Sequence, residues 1–254
     1  MSGVACEQMI LPGLEPCFRI KMNAPRSNAL EPGLLSELRG AFDAIEWSGV
    51  TKVLLSSGRN FSTGGDVGRF YEAAQNGNAE QYAKSVVPAL QDLVLRMLSM
   101  PVIIAVSIRG AVTGGAAGLV FGSDLATAAP DAFMQPYYSA VGFAPDGGWT
   151  AVLPKLIGTG HARGWLMSNH RYDAAKLHEL GLVQAVDSDP DAQALTLLDQ
   201  LDVGSALATK SLLWNARTLA EVQQGLGAET SAFENLIGRP ETLSRMERFL
   251  QTAG

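Results

Sequence analysis

The stretch Gly110-Ala-Val-Thr-Gly-Gly-Ala-Ala-Gly-Leu-Val-Phe-Gly122 decides how the rest of the chain is read. It follows an apolar, β-branched run, Pro101-Val-Ile-Ile-Ala-Val106, so the pattern is a buried strand, a glycine-rich turn and a helix of small residues. Gly114 and Gly115 carry no Cβ, and a turn built on them leaves its backbone N–H groups open to approach. The first N–H groups of the helix that follows have no intrahelical partner, and the helix dipole makes that end partly positive. Such an end suits an anion, or an oxygen that becomes negative during a reaction. The same small residues also suit tight packing of a helix on a sheet, and glycine spacing does not separate the two readings.

A second stretch, Asn60-Phe-Ser-Thr-Gly-Gly-Asp-Val67, follows another short apolar strand, Lys52-Val-Leu-Leu-Ser56. Gly64 and Gly65 there offer one more open N–H, so strand, glycine turn and helix occur twice, about fifty residues apart. Together these segments resemble the crotonase (enoyl-CoA hydratase/isomerase) superfamily. Phe61-Ser-Thr-Gly-Gly-Asp-Val67 is similar to the family's Phe-x-Ala-Gly-x-Asp-Leu, and Pro101 through Ala116 to its Pro-Val-Ile-Ala-Ala-x-x-Gly-x-x-x-Gly-Gly-Gly. The interval from Pro101 to Gly110 is two residues longer than the family's, around Ser107-Ile108, which predicts a shifted strand-to-turn geometry. The resemblance runs from about Ile20 to about Val186. It implies an α/β (α+β) fold, a crotonase spiral of repeated ββα units in two sheets with helices outside. Residues 1–191 then form the spiral core, and residues 192–254 a helical region that makes subunit contacts in a homotrimer or homohexamer.

Composition fits one large domain. The chain has 254 residues, of which 47% are hydrophobic, enough for a sizeable core. Its net charge of −6, with no basic run, argues against nucleic acid as a partner. The longest apolar region, 101–122, is interrupted by Arg109 and rich in Gly and Ala, so no membrane span is expected. Cys6 and Cys17 are the only cysteines; they allow a disulfide, but without a basic, apolar leader the expectation is reduced thiols in a cytoplasmic protein.

Along the chain, residues 1–14 give little signal, and Cys17-Phe-Arg-Ile-Lys-Met22 alternates like a half-buried strand. Asn23-Ala-Pro-Arg-Ser-Asn-Ala-Leu30 resembles the family segment near the adenine end of CoA, which implies that Arg26 and Ala29 touch substrate; a solvated Arg26 is the alternative. Pro32 suits a first helical turn, and Leu34, Leu35, Leu38, Phe42 and Ile45 form an apolar stripe at helical spacing. Residues 68–82 are polar and predict a mobile loop with a short helix, beside the acyl pocket in the family; Phe70 and Tyr71 are candidates for lining it, with plain packing as the alternative, and Thr63 of the first glycine turn is assigned to the substrate. Ala83, Val86, Val87, Leu90, Val94, Met97 and Leu98 mark a helix in which Pro88 predicts a kink or a later start. Asp124-Leu-Ala-Thr-Ala128 reads as a strand, Ser205 as a cap, and Gly238-Arg-Pro240 as the break between the last two helices.

The resemblance also implies the chemistry. Family members hold an acyl-CoA thioester with its oxygen between two backbone N–H groups, which map onto Gly65 and Gly115 and stabilise an enolate. Coenzyme A is then part of the substrate, with no further cofactor and no metal. Hydratases of the family use two glutamates. Gly118 stands where the first belongs, and Gln135-Pro136 is followed by Tyr137 and Tyr138 instead of the second. Water addition needs a base and an acid, so a hydratase is disfavoured.

One acid remains nearby, Asp146 in Gly142-Phe-Ala-Pro-Asp-Gly-Gly-Trp149, similar to the Gly-x-x-Pro-Asp-x-Gly-Gly segment of the family's CoA isomerases. An aspartate after proline is also a natural helix N-cap. As a catalyst it would move a proton from C2 to C4 of a 3-enoyl-CoA or a related cyclic acyl-CoA, with its pKa raised by burial against Phe143 and Trp149. Tyr137 and Tyr138 line the pocket or donate a hydrogen bond in it. Dehalogenases of the family pair the aspartate with a histidine earlier in the chain, whereas His161, His170 and His178 all follow Asp146. The alternatives are a hydratase-like lyase, an acyl-CoA hydrolase, or a non-catalytic acyl-CoA-binding homologue.

Overall fold

The computed structural model describes residues 2–252. The chain opens with an antiparallel pair, β1 (Val4–Ile10) and β2 (Pro16–Met22), in which Val4 pairs with Met22 and Ile10 with Pro16. β1 is an edge strand with mostly exposed residues, so it carries no apolar alternation for the sequence to display. A single turn, α1 (Pro25–Asn28), precedes α2 (Pro32–Ser48), which opens on Pro32 and ends on Gly49 in the left-handed conformation. Then come β3 (Lys52–Ser57), α3 (Val67–Gln75), α4 (Ala79–Ser99), β4 (Ile103–Ile108) and β5 (Ala111–Thr113). A 3-10 turn over Gly114–Ala116 leads into α5 (Ala117–Phe121), β6 (Leu125–Ala128), β7 (Phe133–Gln135) and α6 (Tyr138–Val141). After α7 (Leu153–Ile157), α8 (Thr159–Ser168), β8 (Tyr172–Asp173), α9 (Ala174–Glu179) and β9 (Ala185–Val186), the described residues form four helices. These are α10 (Pro190–Asp199), α11 (Val203–Leu213), α12 (Ala216–Ile237) and α13 (Pro240–Thr252).

The strands form a six-stranded sheet ordered β1-β2-β3-β4-β6-β9, parallel from β2 onward, and a three-stranded sheet ordered β5-β7-β8. The repeating unit is one strand of the large sheet, one of the small sheet, then a helix: β4-β5-α5, then β6-β7-α6. β3 begins the same unit in shorter form, with Ser62 bridging Val112 before α3. This is the spiral of ββα units that the resemblance implies.

β3 and β4 are buried along their whole length because helices cover both faces of the large sheet. Val53, Leu55, Ile104 and Val106 pack with α2 and α4, while Leu54, Ile103 and Ala105 face the other way, onto Ala194 and Leu198 of α10. α5 is short and entirely buried; its small residues let it lie tight against α4, where a Cβ on Gly118 would come within 3.0 Å of Val94 Cγ2.

Four local expectations change. Residues 68–82 are mostly helical, because Asp66 caps α3 and Phe70 anchors it in the core. α4 runs from Ala79 to Ser99 with Pro88 inside it and no later start. The cap of α11 is Asp202, whose side chain accepts from Ser205 N at 2.8 Å, so Ser205 is the capped residue and not the cap. Ser107 and Ile108, the extra pair, are absorbed into β4 in continuous register with Thr127 and Ala128 of β6.

Candidate active site

The two glycine turns lie on one another. Ser62 N donates to Ala111 O at 3.0 Å and Thr113 N to Ser62 O at 3.1 Å. Gly64 has φ +74, and a Cβ there would land on the Thr113 carbonyl oxygen, so only glycine allows this approach. Leu30 N donates to Gly64 O at 2.8 Å, whereas the N–H of Gly65 takes no partner among the described residues. Gly115 sits in the first turn of the 3-10 segment, where N–H groups lack intrahelical acceptors. Two open donors therefore border one space.

That space is a cavity of about 350 Å³. Its lining includes Asp146, Gly65, Gly115, Arg26, Ala29, Thr63, Phe70, Tyr137 and Tyr138, and leaves out Tyr71. Its solvent end carries Arg26, with 52% of the side chain exposed, and its closed end carries Asp146, 7% exposed. Arg26 is not free there: it pairs with Asp66 and donates to Glu31 Oε1 at 2.8 Å. Asp66 also accepts from Arg69 N at 3.1 Å, so it is tied into the turn. Arg26, Ser27 and Asn28 all have left-handed φ angles. The buried Asn28 holds them, accepting from Ala24 N at 2.6 Å and donating to Phe61 O at 3.0 Å.

Asp146 caps no helix; it is followed by Gly147 and Gly148 with φ of +65 and +92. Its carboxylate lies over Gly115, where an added Cβ would come within 2.9 Å of Oδ1 and 3.0 Å of Oδ2. Trp149 Nε1 donates to Gly114 O at 2.8 Å and fixes the segment to the second turn. Tyr138 Oη donates to Asp146 Oδ1 at 2.5 Å and to its backbone oxygen at 3.1 Å. Burial is the main cause that pushes the Asp146 carboxyl up to about 7. The Tyr138 hydrogen bond pulls it down, and the nearby charge of Glu229 pushes it up. The same burial, with Asp146 beside it, holds the Tyr138 phenol well above its usual range.

Glu229 was not legible as part of the site. It lies on α12 in the buried row Val222, Leu226, Glu229, Phe233, Ile237. Its carboxylate accepts from Gly148 N at 2.8 Å, Thr150 N at 2.7 Å, Thr150 Oγ1 at 2.6 Å and Ala151 N at 3.0 Å. It therefore holds the turn that follows Asp146. A lone acid in an otherwise apolar helical stripe was the available signal. Phe233 of α12 and Phe249 and Leu250 of α13 also enter the lining, and Phe70, Phe143 and Phe233 pack with ring centroids 5.0–5.5 Å apart.

The arrangement can hold an oxygen at two backbone donors and move a proton beside it. The family model described as enoyl-CoA hydratase/isomerase matches residues 15–252. The chain belongs to the enoyl-CoA hydratase/isomerase family.

Among relatives of this enoyl-CoA hydratase/isomerase family member is the cyclohexa-1,5-dienecarbonyl-CoA hydratase of Thauera aromatica, 27% identical, covering 92% of this chain and 90% of that one. The 1,2-epoxyphenylacetyl-CoA isomerase of Escherichia coli is 28% identical, over 67% of this chain and 66% of that one. The crystal structure of an enoyl-CoA hydratase from Bacillus halodurans superposes with a TM-score of 0.84 at 22% identity, covering 96% of this chain and 99% of that one. Membership implies an acyl-CoA thioester as substrate. At Gly118 a Cβ would land on the Gly147 carbonyl oxygen, which leaves no room there for a carboxylate side chain.

Proposed function

We propose that this family member is an acyl-CoA isomerase that moves a double bond from C3 to C2 of the acyl group. The thioester oxygen sits between the N–H groups of Gly65 and Gly115. Oδ2 of ionised Asp146 takes a proton from C2, the two donors stabilise the dienolate, and the same carboxyl returns the proton at C4. Arg26, Ala29 and Thr63 are assigned to the CoA side, and Phe70, Tyr137 and Tyr138 to the acyl side.

The observation that carries this reading is that two aspartates line the cavity and Asp66 is bound to Arg26, which leaves Asp146 for chemistry. A single carboxylate suffices for a proton moved within one substrate, whereas adding water calls for a base and an acid. A carboxyl near 7 is matched to both halves of that transfer at neutral pH. The test is incubation with 3-enoyl-, 2-enoyl- and cyclic acyl-CoA esters, followed by mass and ultraviolet analysis. Isomerisation leaves mass unchanged and alters absorbance. A gain of water, or release of free CoA, overturns the reading.

We also propose that the region 192–254 supplies subunit contacts in a homotrimer or homohexamer. Leu212 and Leu213, 76% and 65% exposed at the end of α11, support it, because large apolar side chains side by side are poorly placed in water. Light scattering at micromolar concentration should give three or six chains; a monomer mass counts against it.

A further inference from the structure

We infer that Tyr138 positions Asp146: its hydroxyl holds Oδ1 against the cavity wall and leaves Oδ2 as the oxygen open to a ligand. The inference rests on the assignment of Asp146 as the acid–base group and deepens it. The one hydroxyl proton of Tyr138 is directed at Asp146, with Oδ1 at 2.5 Å and the backbone oxygen at 3.1 Å. No described residue donates to Oδ2, and Asp146 lines the cavity.

The tyrosine is itself held from three sides. Its helix, α6, begins after Tyr137 in the left-handed conformation at φ 62, a backbone state fixed by a 2.7 Å bond from Tyr137 N to Asn169 Oδ1. Its ring meets Trp149 edge-on at 6.3 Å, and Trp149 is bonded to Gly114 next to the second open donor. α6 ends at Gly142 with φ 80, whose carbonyl accepts from Thr242 Oγ1 at 3.2 Å. The hydroxyl, the carboxylate and the donor turn thus form one rigid unit. A phenol that merely needed an acceptor would be served by any carbonyl; here it binds the carboxylate that faces the cavity.

A neutral donor also sets when the carboxylate ionises, because a hydrogen bond to the charged form favours it. The groups that face Asp146 are Tyr138 from α6 and Glu229 from α12, with Tyr137 and the Arg26–Asp66 pair toward solvent. The lining from α4 is apolar, Val86 and Leu90, and the 3-10 turn presents only glycine. Of the two side chains that act on it, Tyr138 opposes the effect of burial and Glu229 adds to it.

The experiment is a 13C NMR titration of the whole protein labelled at aspartate carboxyls, with the Asp146 signal assigned by its loss in Asp146→Asn. Tyr138→Phe, which keeps the ring, should raise the Asp146 midpoint by about one to two pH units, the worth of a hydrogen bond to a charged group. Replacing Tyr138 by a ring-fluorinated tyrosine, a stronger donor of nearly the same shape, should lower it, and this holds the test open if Tyr138→Phe fails to fold. In kinetics, Tyr138→Phe should cut kcat at pH 7 about tenfold and recover near pH 9, with KM little changed. Unmoved midpoints in both variants overturn the inference. Moved midpoints with an unmoved pH–rate profile support it and overturn instead the acid–base role of Asp146.

Discussion

Asp124, largely buried, and Asp146, buried, both lie beside glycine-containing segments, and they live in opposite electrostatic surroundings. Asp124 accepts from Ile104 N at 2.8 Å and from Lys210 Nζ at 2.8 Å, and Lys210 donates further to Met97 O at 2.7 Å and Val102 O at 2.8 Å. Burial pushes the Asp124 carboxyl up and Lys210 draws it back. The pair fastens α11 to the start of β4. Among the described residues no cation pairs with Asp146; it has one neutral donor, and Glu229 as the nearby anion. Burial alone therefore does not mark a working acid. The role proposed for Asp146 rests on burial without a compensating charge, next to backbone donors that have no partner among the described residues. Such an arrangement lowers stability and is kept where something binds.

Substitutions at five positions test that contrast. The largest effect is expected from Asp146→Asn, which should lower turnover about 10²–10⁴-fold while leaving acyl-CoA binding in place. It should also stabilise the fold. The carboxyl titrates near 7 when folded and near 3.8 unfolded, so the native state holds the extra proton between those values. Wild-type stability then falls as pH rises from about 4 to about 7, and stays lowered above. Asp146→Asn should gain up to about 4 kcal/mol at pH 8 and nearly nothing at pH 4, read from urea midpoints. Equal stabilities at both pH values would show that Asp146 is not held in the uncompensated state described.

Lys210→Met is the reverse case. It leaves Asp124 buried without its cation and should cost about 3–5 kcal/mol, while the surviving folded fraction keeps its turnover. Adding Asp124→Asn should restore part of the loss. A Lys210→Met protein as stable as wild type would mean that the pair is not a structural fastening.

Gly118→Ala should cost about 1–3 kcal/mol by pushing back Gly147, and should slow turnover through Asp146 beside it. If Gly118→Glu gave water addition, the claim that this position is closed would fall. Glu229→Gln should have the smallest effect, lowering the Asp146 midpoint by about one pH unit. It should also lose about 1–3 kcal/mol, because an amide NH₂ then meets one of the backbone donors. A midpoint that rises on Glu229→Gln would remove Glu229 from the electrostatics of the site.

Sequence alone determined the elements whose signals are local. Two strand–glycine turn–helix units carried the resemblance to the family, which implied the spiral of ββα units, and the residues at Gly118 and Tyr137 then turned attention to Asp146. Glycine requirements are set by backbone geometry within a few residues, and apolar periodicity by a single helix or strand, so both are written in the chain. β1 was silent because an exposed edge strand needs no apolar face. The fully buried strands showed only as apolar runs, and the division of β3 and β4 between two cores needed both covering layers to be seen. Tertiary structure decided the rest of the site. Tyr138 and Asp146 are eight residues apart, yet the phenol meets the carboxylate only because α6 and Trp149 are both fixed to the second turn. Glu229 reaches the 148–151 turn across about eighty residues of chain. The choice between a cap and a free acid at Asp146 was likewise made by burial and by what lies beside it. Desolvation and charge pairing are properties of neighbours in space, and no spacing along the chain encodes them.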